Sequence, residues 1–291
     1  MIKGGFDLQA HSIFSDGEYT PLQIMRMAKN KGLAGVVVTD HNAIAHFDAA
    51  LRAASKFGLT TLEGLEITTN YDEINLHILG YAKTFKRAIL AQGLKRTIDG
   101  YERRLSKMLD RLYAQEGIRI TIAELRKFKP KGALVKFDIY RALVKRYPRR
   151  AREFKAMLTK QGSLVTPYDL TMLSPKQAIR LIHRAGGVAI LSHPADKGRT
   201  AENKHFMKRI FDIIERLRND GLDGLEVYSS HHTPAQIKAL LAFVKRKGLL
   251  ITGGSDFHGP TWHSEIKLGQ ASISSKDFHH LTQFIVTHGP T

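Results

Sequence analysis

Phe6-Asp7-Leu8-Gln9-Ala10-His11-Ser12-Ile13-Phe14-Ser15-Asp16-Gly17 is the stretch that decides the fold. Phe6–Gln9 reads as a strand, and where it ends the sequence turns to groups that carry lone pairs: Gln9, His11 and Asp16. Thr20-Pro21 follows, a hydroxyl N-cap with proline at the first helical position, so a helix begins where the polar loop stops. Strand, polar loop and helix make one βα unit. Gly35–Thr39, Thr60–Ile67, Leu76–Tyr81, Val188–Ser192, Gly224–Tyr228 and Leu249–Thr252 read as further strands, with Ile266–Gln270 as an eighth candidate. Ser174-Pro175 and Thr233-Pro234 repeat the helix start, and Gly32, Gly186-Gly187 and Gly248 mark helix ends. The alternation predicts an α/β fold with a parallel sheet.

Between residues 90 and 174 the pattern changes. Leu94, Ile98, Tyr101, Leu105, Met108 and Leu112 recur at helical spacing, and Ile122–Phe128, Asp138–Arg146 and Ala151–Thr159 are also helix-like. The chain divides into an α/β unit, residues 1–90 and 174–291, and a helical insert over 91–173. Charge divides it the same way. The 291 residues hold 45 Lys and Arg against 27 Asp and Glu, a net +18. Lys95 through Lys160 alone hold 20 against 7. Such a concentrated positive surface is the footprint of a polyanion site, and the insert is read as a substrate wall. Arg126-Lys127-Phe128-Lys129 and Lys145-Arg146-Tyr147 interleave the charge with aromatic rings.

Composition narrows the chemistry. A chain that is 43% hydrophobic can bury a core, which excludes wholesale disorder. No apolar run approaches the roughly 18 residues of a spanning helix, and the first residues lack a signal-peptide core, so a cytoplasmic protein without a membrane partner is expected. With no cysteine, disulfides, thiolate nucleophiles and Cys-based metal sites drop out, leaving His, Asp, Glu and Gln to hold any metal. Those residues follow the predicted strands: Gln9, His11 and Asp16, then Asp40-His41, Glu66, His77, His193, and Asp256 with His258. In a parallel α/β barrel every strand C-terminus points to one face, where residues distant in sequence converge. Taken singly, His77 reads as a core imidazole before a ligand, Asp16-Gly17 as an ordinary turn and Asp256 as an ordinary cap. Taken together, five imidazoles and three carboxylates after nearly every strand are a metal site's inventory.

The motifs Asp7-Leu8-Gln9-Ala10-His11-Ser12 with Ser15-Asp16-Gly17, Thr39-Asp40-His41-Asn42, Gly64-Leu65-Glu66-Ile67, His77-Ile78-Leu79-Gly80, Ser192-His193-Pro194 and Gly254-Ser255-Asp256-Phe257-His258-Gly259 resemble, in order, those of the PHP (polymerase and histidinol phosphatase) family. The resemblance is strongest to its metal-dependent phosphoesterases, among them nucleoside 3′,5′-bisphosphate phosphatases and 5′–3′ exoribonucleases. It implies a distorted seven-stranded (β/α) barrel with a helical insertion and two or three divalent ions per chain. One ion would be held by Gln9, His11, Glu66 and Asp256, a second by Asp16, His41 and His258, and a third by Glu66, His77 and His193, with Asp40 behind them. The implied activity is hydrolysis of phosphate esters of nucleotides or short single-stranded nucleic acid by metal-bound hydroxide, with Asp256, His258 and Glu66 at the centre of the chemistry. Three carboxylates against three dications leave positive charge for an anionic substrate, and closely spaced ions stabilise both the attacking and the leaving oxygen. Oxygen and imidazole ligands suit Mn²⁺, with Fe²⁺ or Zn²⁺ as alternatives.

Two departures stand out. Gln9 occupies the first position of the family's His-x-His, a neutral amide in place of an imidazole. In the insert, Lys136-Phe137-Asp138 precedes Ala142-Leu143-Val144 where an Arg-Pro-His-like stretch is usual. Lys136 and Arg141 are therefore the candidate phosphate contacts, and Asp138 is unfavourable beside an anion unless a cation pairs with it. His231, after the sixth strand, is a further candidate substrate contact. His46 reads as a surface or packing residue, and Trp262 as rim packing. Three rival readings remain: a histidinol-phosphate-type phosphatase, for which the basic insert is superfluous; a metal-assisted amide or phosphonate hydrolase; and a non-catalytic nucleic-acid-binding protein with a decayed metal site, disfavoured because only Gln9 deviates.

Overall fold

The computed structural model describes residues 4–71, 74–159, 161–167, 172–196, 205–261 and 264–288. The expected strands form as β1 (Phe6–Ala10), β2 (Gly35–Val38), β3 (Glu63–Tyr71), β4 (Ile74–Ala82), β5 (Val188–Leu191), β6 (Gly224–Ser229) and β7 (Leu250–Gly254). The closed barrel expected of them is not one continuous ladder. β1 and β2 form a parallel pair, and β3-β4-β5-β6-β7 a five-stranded sheet. Isolated bridges link the two, Gly35 to Thr60 and His41 to Glu66 on one side and Ala10 to Phe257 on the other. Where β7 meets β1, the Asp7 carboxylate takes the backbone N–H of Ser255 at 2.8 Å and of Gln9 at 3.3 Å, so a side chain stands in for the ladder.

The sheet is also not all parallel. β4 runs antiparallel to both β3 and β5, because β3 and β4 form a hairpin. Its beginning, not its end, therefore lies beside the ends of the other strands, and this puts His77 on their side. The eighth candidate, 266–270, is a turn instead of a strand. Gly269 there has a φ of +76°, and its N–H is taken by Asp7 at 2.7 Å.

The helices are α1 (Pro21–Asn30), α2 (Phe47–Phe57), α3 (Arg87–Glu116), α4 (Ile122–Phe128), α5 (Lys136–Arg146), α6 (Ala151–Met157), α7 (Pro175–Arg184), α8 (Phe206–Asn219), α9 (Pro234–Lys247) and α10 (Ser275–His288). Thr20, Ser174 and Thr233 each close a capping box with a glutamine three residues on, which fixes where α1, α7 and α9 begin. α1 and α2 bury Ile24, Met25, Ala50 and Ala54 against Val36 and Val38. α7, α8 and α9 bury Ile179, Ile182, Ile214 and Leu240 with Leu65, Ile78 and Leu191. α3 serves two cores: Leu90 and Leu94 belong to that main cluster, whereas Leu105, Met108 and Leu112 pack with Leu125, Ile139, Leu143 and Phe154 in a core of the insert's own. One continuous helix thus contributes to both cores. Among the described residues no helix is long and apolar enough to cross a membrane.

β7 can approach β1 only because residue 254 lacks a side chain: a Cβ there would lie 2.4 Å from the Gln9 nitrogen. Gly254→Ala is expected to cost about 1–3 kcal/mol of stability through overpacking. Urea unfolding would register it as a lower midpoint at unchanged slope.

Candidate metal centre

Glu66, fully buried in β3, is the hub. Its Oε2 lies 3.1 Å from His11 Nε2 and 3.4 Å from His41 Nδ1, and its Oε1 lies 2.9 Å from His77 Nδ1 and 3.6 Å from His193 Nε2. Asp256 Oδ1 is 3.1 Å from the same His11 nitrogen, and Asp16 Oδ1 is 3.3 Å from His258 Nε2. The rings of His11 and His258 stack at 4.1 Å. Ligand-type atoms of His11, Asp16, His41 and His258 lie within 4.8 Å of one another, as do those of His41, Glu66 and His77 and those of His11, Glu66 and Asp256. All eight His, Asp and Glu residues singled out in the sequence as ligands meet at this one mouth. Gln9 reaches it too, but turns its amide nitrogen to Glu66 Oε1 at 3.1 Å and to Ser192 Oγ at 3.0 Å.

The backbone bends sharply to aim these groups. Asn42, His193 and Asp256 are the non-glycine residues with positive φ among the described residues, and all three lie at the mouth. Such conformations cost about 1–3 kcal/mol each and persist where surrounding bonds over-determine them. Asn42 is held by its amide, which donates to Thr68 Oγ1 at 3.1 Å and accepts from Thr68 N at 3.0 Å. Asp256 follows Ser255, whose N–H and hydroxyl both donate to Asp7. His193 donates its N–H to the buried carboxyl of Glu226 at 2.9 Å, and the next turn is fixed by Ala195 N–H donating to His232 Nε2 at 3.2 Å. Asp40 accepts from Ser12 N at 2.8 Å, Ser12 Oγ at 2.6 Å and Ser15 Oγ at 2.5 Å, which makes it the anchor of the loop that carries Asp16.

Asp7, Glu226 and the serines were not given roles from sequence alone. The signal for Asp7 was its place two residues before Gln9 in one strand; for Glu226 it was an acid between Leu225 and Val227. His46 is not a surface group: it is fully buried, with Nε2 donating to Gly64 O at 2.9 Å and Nδ1 3.3 Å from Asp40.

Electrostatics fit this geometry to cations. Burial works against the Glu66, Asp256 and Asp16 carboxylates, yet the facing imidazoles outweigh it and hold all three well below the usual range. Burial pushes His41 down to about 4, leaving it neutral with a lone pair to give. Glu226 is pushed well above the ordinary carboxylate range by burial and by the charge of Asp256. Gln9 Oε1, His11 Nε2, Asp16 Oδ1, Glu66 Oε2, His193 Nδ1 and Asp256 Oδ1 are buried with no hydrogen-bond partner. Buried polar atoms without a well-formed hydrogen bond are costly. A divalent cation satisfies such a set, and the absence of thiolates is compatible with hard ions. Gln9 fits on the condition that its amide turns over, so that oxygen replaces nitrogen at the mouth.

The candidate substrate contacts lie differently. His231 Nε2 is 2.9 Å from Asp256 Oδ2; burial opposes its charge, but that bond prevails and raises its pKa. Lys136 is half-buried, near enough to Asp16 and Arg104 for both to act on its charge. Arg141 donates to Gly17 O at 2.6 Å and lies 3.7 Å from Asp138. Asp138, the feared acid, is paired with Lys129 at 2.9 Å. A cavity of about 650 Å³ opens beside them, lined by Ile13, Phe14, Phe128, Lys131, Arg141 and Lys145 among others and by none of the eight convergent groups. Trp262 falls outside the described residues.

His232 is locked neutral, Nδ1–H donating to Val227 O at 2.9 Å while Nε2 accepts, and burial takes its pKa down to about 4. At pH 7 it is neutral whether folded or unfolded. Below pH 6.5 the unfolded chain takes up a proton that the folded chain refuses, so stability falls by up to about 3 kcal/mol by pH 4. His232→Gln is expected to flatten the difference in unfolding free energy between pH 7 and 4.5 relative to wild type.

Comparison with known proteins gives these groups a family. The model of the PHP domain matches residues 7–166. A 5′–3′ exoribonuclease of Haemophilus influenzae is 29% identical, the match covering 88% of this chain and 90% of the relative. A 3′,5′-nucleoside bisphosphate phosphatase of Chromobacterium violaceum is also 29% identical, over 87% of each chain. A phosphoribosyl 1,2-cyclic phosphate 1,2-diphosphodiesterase of Eggerthella lenta is 28% identical over 87% of this chain and 94% of its own. Among solved structures, a provisionally designated metal-dependent phosphoesterase from Bifidobacterium adolescentis superposes with a TM-score of 0.82 at 27% identity, covering 100% of this chain and 98% of that one. With a family match over more than half its length and a hub of acids and imidazoles suited to cations, the chain belongs to the PHP domain family and is a metal-dependent hydrolase of phosphate esters.

Proposed function

We propose that the chain hydrolyses phosphate esters of nucleotides or short single-stranded oligonucleotides at this mouth, using two or three divalent cations with manganese as the working ion. The ligand sets are Gln9, His11, Glu66 and Asp256; Asp16, His41 and His258; and Glu66, His77 and His193. The observation that carries the reading is the convergence of ligand-type atoms of His11, Asp16, His41, Glu66, His77, Asp256 and His258 in three overlapping groups, each within 4.8 Å. The bridges that tie the two sheets together support treating the site as the mouth of a distorted barrel. When bound, the cations supply water activated near neutral pH and positive charge against the phosphate oxygens.

The remaining work falls to side chains. Glu66, Asp256 and His258 are the groups closest to the chemistry, Glu66 by joining two ligand sets and the other two by sharing one tight loop. His231 and Lys136 face the substrate phosphate as cations. Residues 91–173 form the substrate wall. In its cavity Lys131 and Lys145 have no carboxylate partner among the described residues, and Lys145 Nζ lies 4.6 Å from the centre of the Phe128 ring, which is 60% exposed. An unpaired ammonium beside an open ring suits the phosphate and base of a nucleotide beyond the one cleaved.

A second reading, a small phosphorylated metabolite with no strand attached, is favoured by the similarity to the Eggerthella lenta diphosphodiesterase. Salt separates the two. If several phosphates are contacted, kcat/KM on a 5′-phosphorylated oligoribonucleotide falls steeply with ionic strength, whereas a monophosphate responds weakly. Lys131→Ala combined with Lys145→Ala is expected to lower oligonucleotide turnover at limiting substrate about tenfold and to leave adenosine 3′,5′-bisphosphate within about twofold. Equal loss on both substrates would sink the extended-strand reading.

Chelation should abolish hydrolysis, with Mn²⁺ restoring it further than Mg²⁺, Zn²⁺ or Fe²⁺. Thermal unfolding provides a check independent of turnover. Mn²⁺ is expected to raise the midpoint of wild type by several degrees through mass action, and that of Glu66→Gln little or not at all.

A further inference from the structure

We propose that Lys129, with Asp138 and Arg141, positions Asp16, so that the insert completes the metal centre as well as flanking it. The inference rests on the reading of Asp16 as a cation ligand. Lys129 follows α4 and is 7% exposed. A lysine that gives up water must find acceptors for all three of its protons. Its Nζ donates to Asp138 Oδ2 at 2.9 Å, to Ala133 O at 2.9 Å and to the carbonyl of Ser15. The first two acceptors belong to the insert; the third is the peptide oxygen immediately before Asp16.

Arg141 deals with the other side, since its Nη2 donates to Gly17 O at 2.6 Å, the peptide oxygen immediately after Asp16. Ala133 N–H donates to Phe14 O at 3.0 Å and extends the contact one residue further. Gly132 permits it, with a φ of +88° and a hypothetical Cβ only 2.2 Å from Phe14 O. Asp138 holds the device together: besides Lys129 it accepts from Val135 N–H at 2.8 Å and lies 3.7 Å from Arg141. From the opposite side Asp40 grips Ser12 and Ser15. The Asp16 loop is therefore held between a carboxylate of the α/β unit and a lysine and an arginine of the insert.

The ion pair alone would serve the insert's own stability. The bonds to Ser15 and Gly17 do something else, because they cross between units and end on the two peptides that set where the Asp16 carboxylate points. This also accounts for an acid in the place where the family pattern leads one to expect histidine: Asp138 orients the two cations that orient the loop.

The test is Mn²⁺ titration calorimetry on chelator-stripped full-length protein. Lys129→Met alone would leave the Asp138 carboxylate buried without a counterion, a strongly destabilising change. Lys129→Met with Asp138→Asn removes both charges and keeps an acceptor for Val135 N–H. Arg141→Gln, at a partly exposed position, is an independent second variant should the double one fold poorly. Both are expected to unfold cooperatively near the wild-type temperature while one class of Mn²⁺ site weakens about tenfold and the others stay unchanged, the usual scale for residues that orient a ligand. Asp16→Asn should weaken the same class, and adding either clamp variant to it should cost nothing further, since the two act through one group. Wild-type Mn²⁺ binding in the clamp variants, or losses that simply add to that of Asp16→Asn, would overturn the inference alone. Unchanged binding in Asp16→Asn would overturn the ligand assignment, and the inference with it.

Discussion

A carboxylate without exposed surface, ringed by imidazoles, is the constraint from which the rest of this molecule follows. Glu66 is removed from water and faces His11, His41, His77 and His193, each brought by a different stretch of chain. Removing a charge from water is expensive, and attraction to neighbouring rings repays it only when geometry is good and other lone pairs are satisfied. Here several lone pairs remain unsatisfied within the protein. Folding therefore builds a place where an external positive charge lowers the free energy of groups that the chain itself leaves unmatched. The apolar sheets and helices beneath supply the stability that makes this tolerable.

Around that hub the supporting residues share one design. Asp7, Asp40 and Glu226 are buried acids that accept backbone or hydroxyl protons from the loops carrying Asp256, Asp16 and His193. Each converts a flexible loop after a strand into one defined turn, and at His193 and Asp256 into a turn with positive φ. Aim matters more than number here, because a displacement of about 1 Å in a positioned group can cost two orders of magnitude in rate.

Much of this was legible in the sequence. Polar residues directly after apolar runs locate the mouth, since a strand's end is where a side chain can leave the core, and hydroxyl-proline pairs locate three helix starts. What was not legible has physical causes. The antiparallel direction of β4 against β3 is not encoded by hydrophobic alternation, because the period-two pattern is the same for both directions. The gap between β7 and β1 lies where the Asp7 carboxylate takes the N–H groups of Ser255 and Gln9, a tertiary contact that no local pattern encodes. The bond from Arg141 to Gly17 O was not legible, because the family pattern that singled the residue out carries no information about which rim carbonyl lies beside it. Lys129 was one cation in a run of them, and its burial arises from the packing of α4 and α5 against the rim loop.

The contact between Lys129 and the Ser15 carbonyl bears on how such proteins diversify. An insertion that only covered a catalytic mouth could be exchanged between relatives as a cassette, altering preference while leaving the reaction intact. Here the inserted helices and residues 14–17 of the α/β unit are joined by hydrogen bonds, so recombination at the insert's ends would separate these partners. New specificities on this scaffold are then expected to arise by gradual change on the insert's outer helical faces, with the inner contacts inherited together as one block.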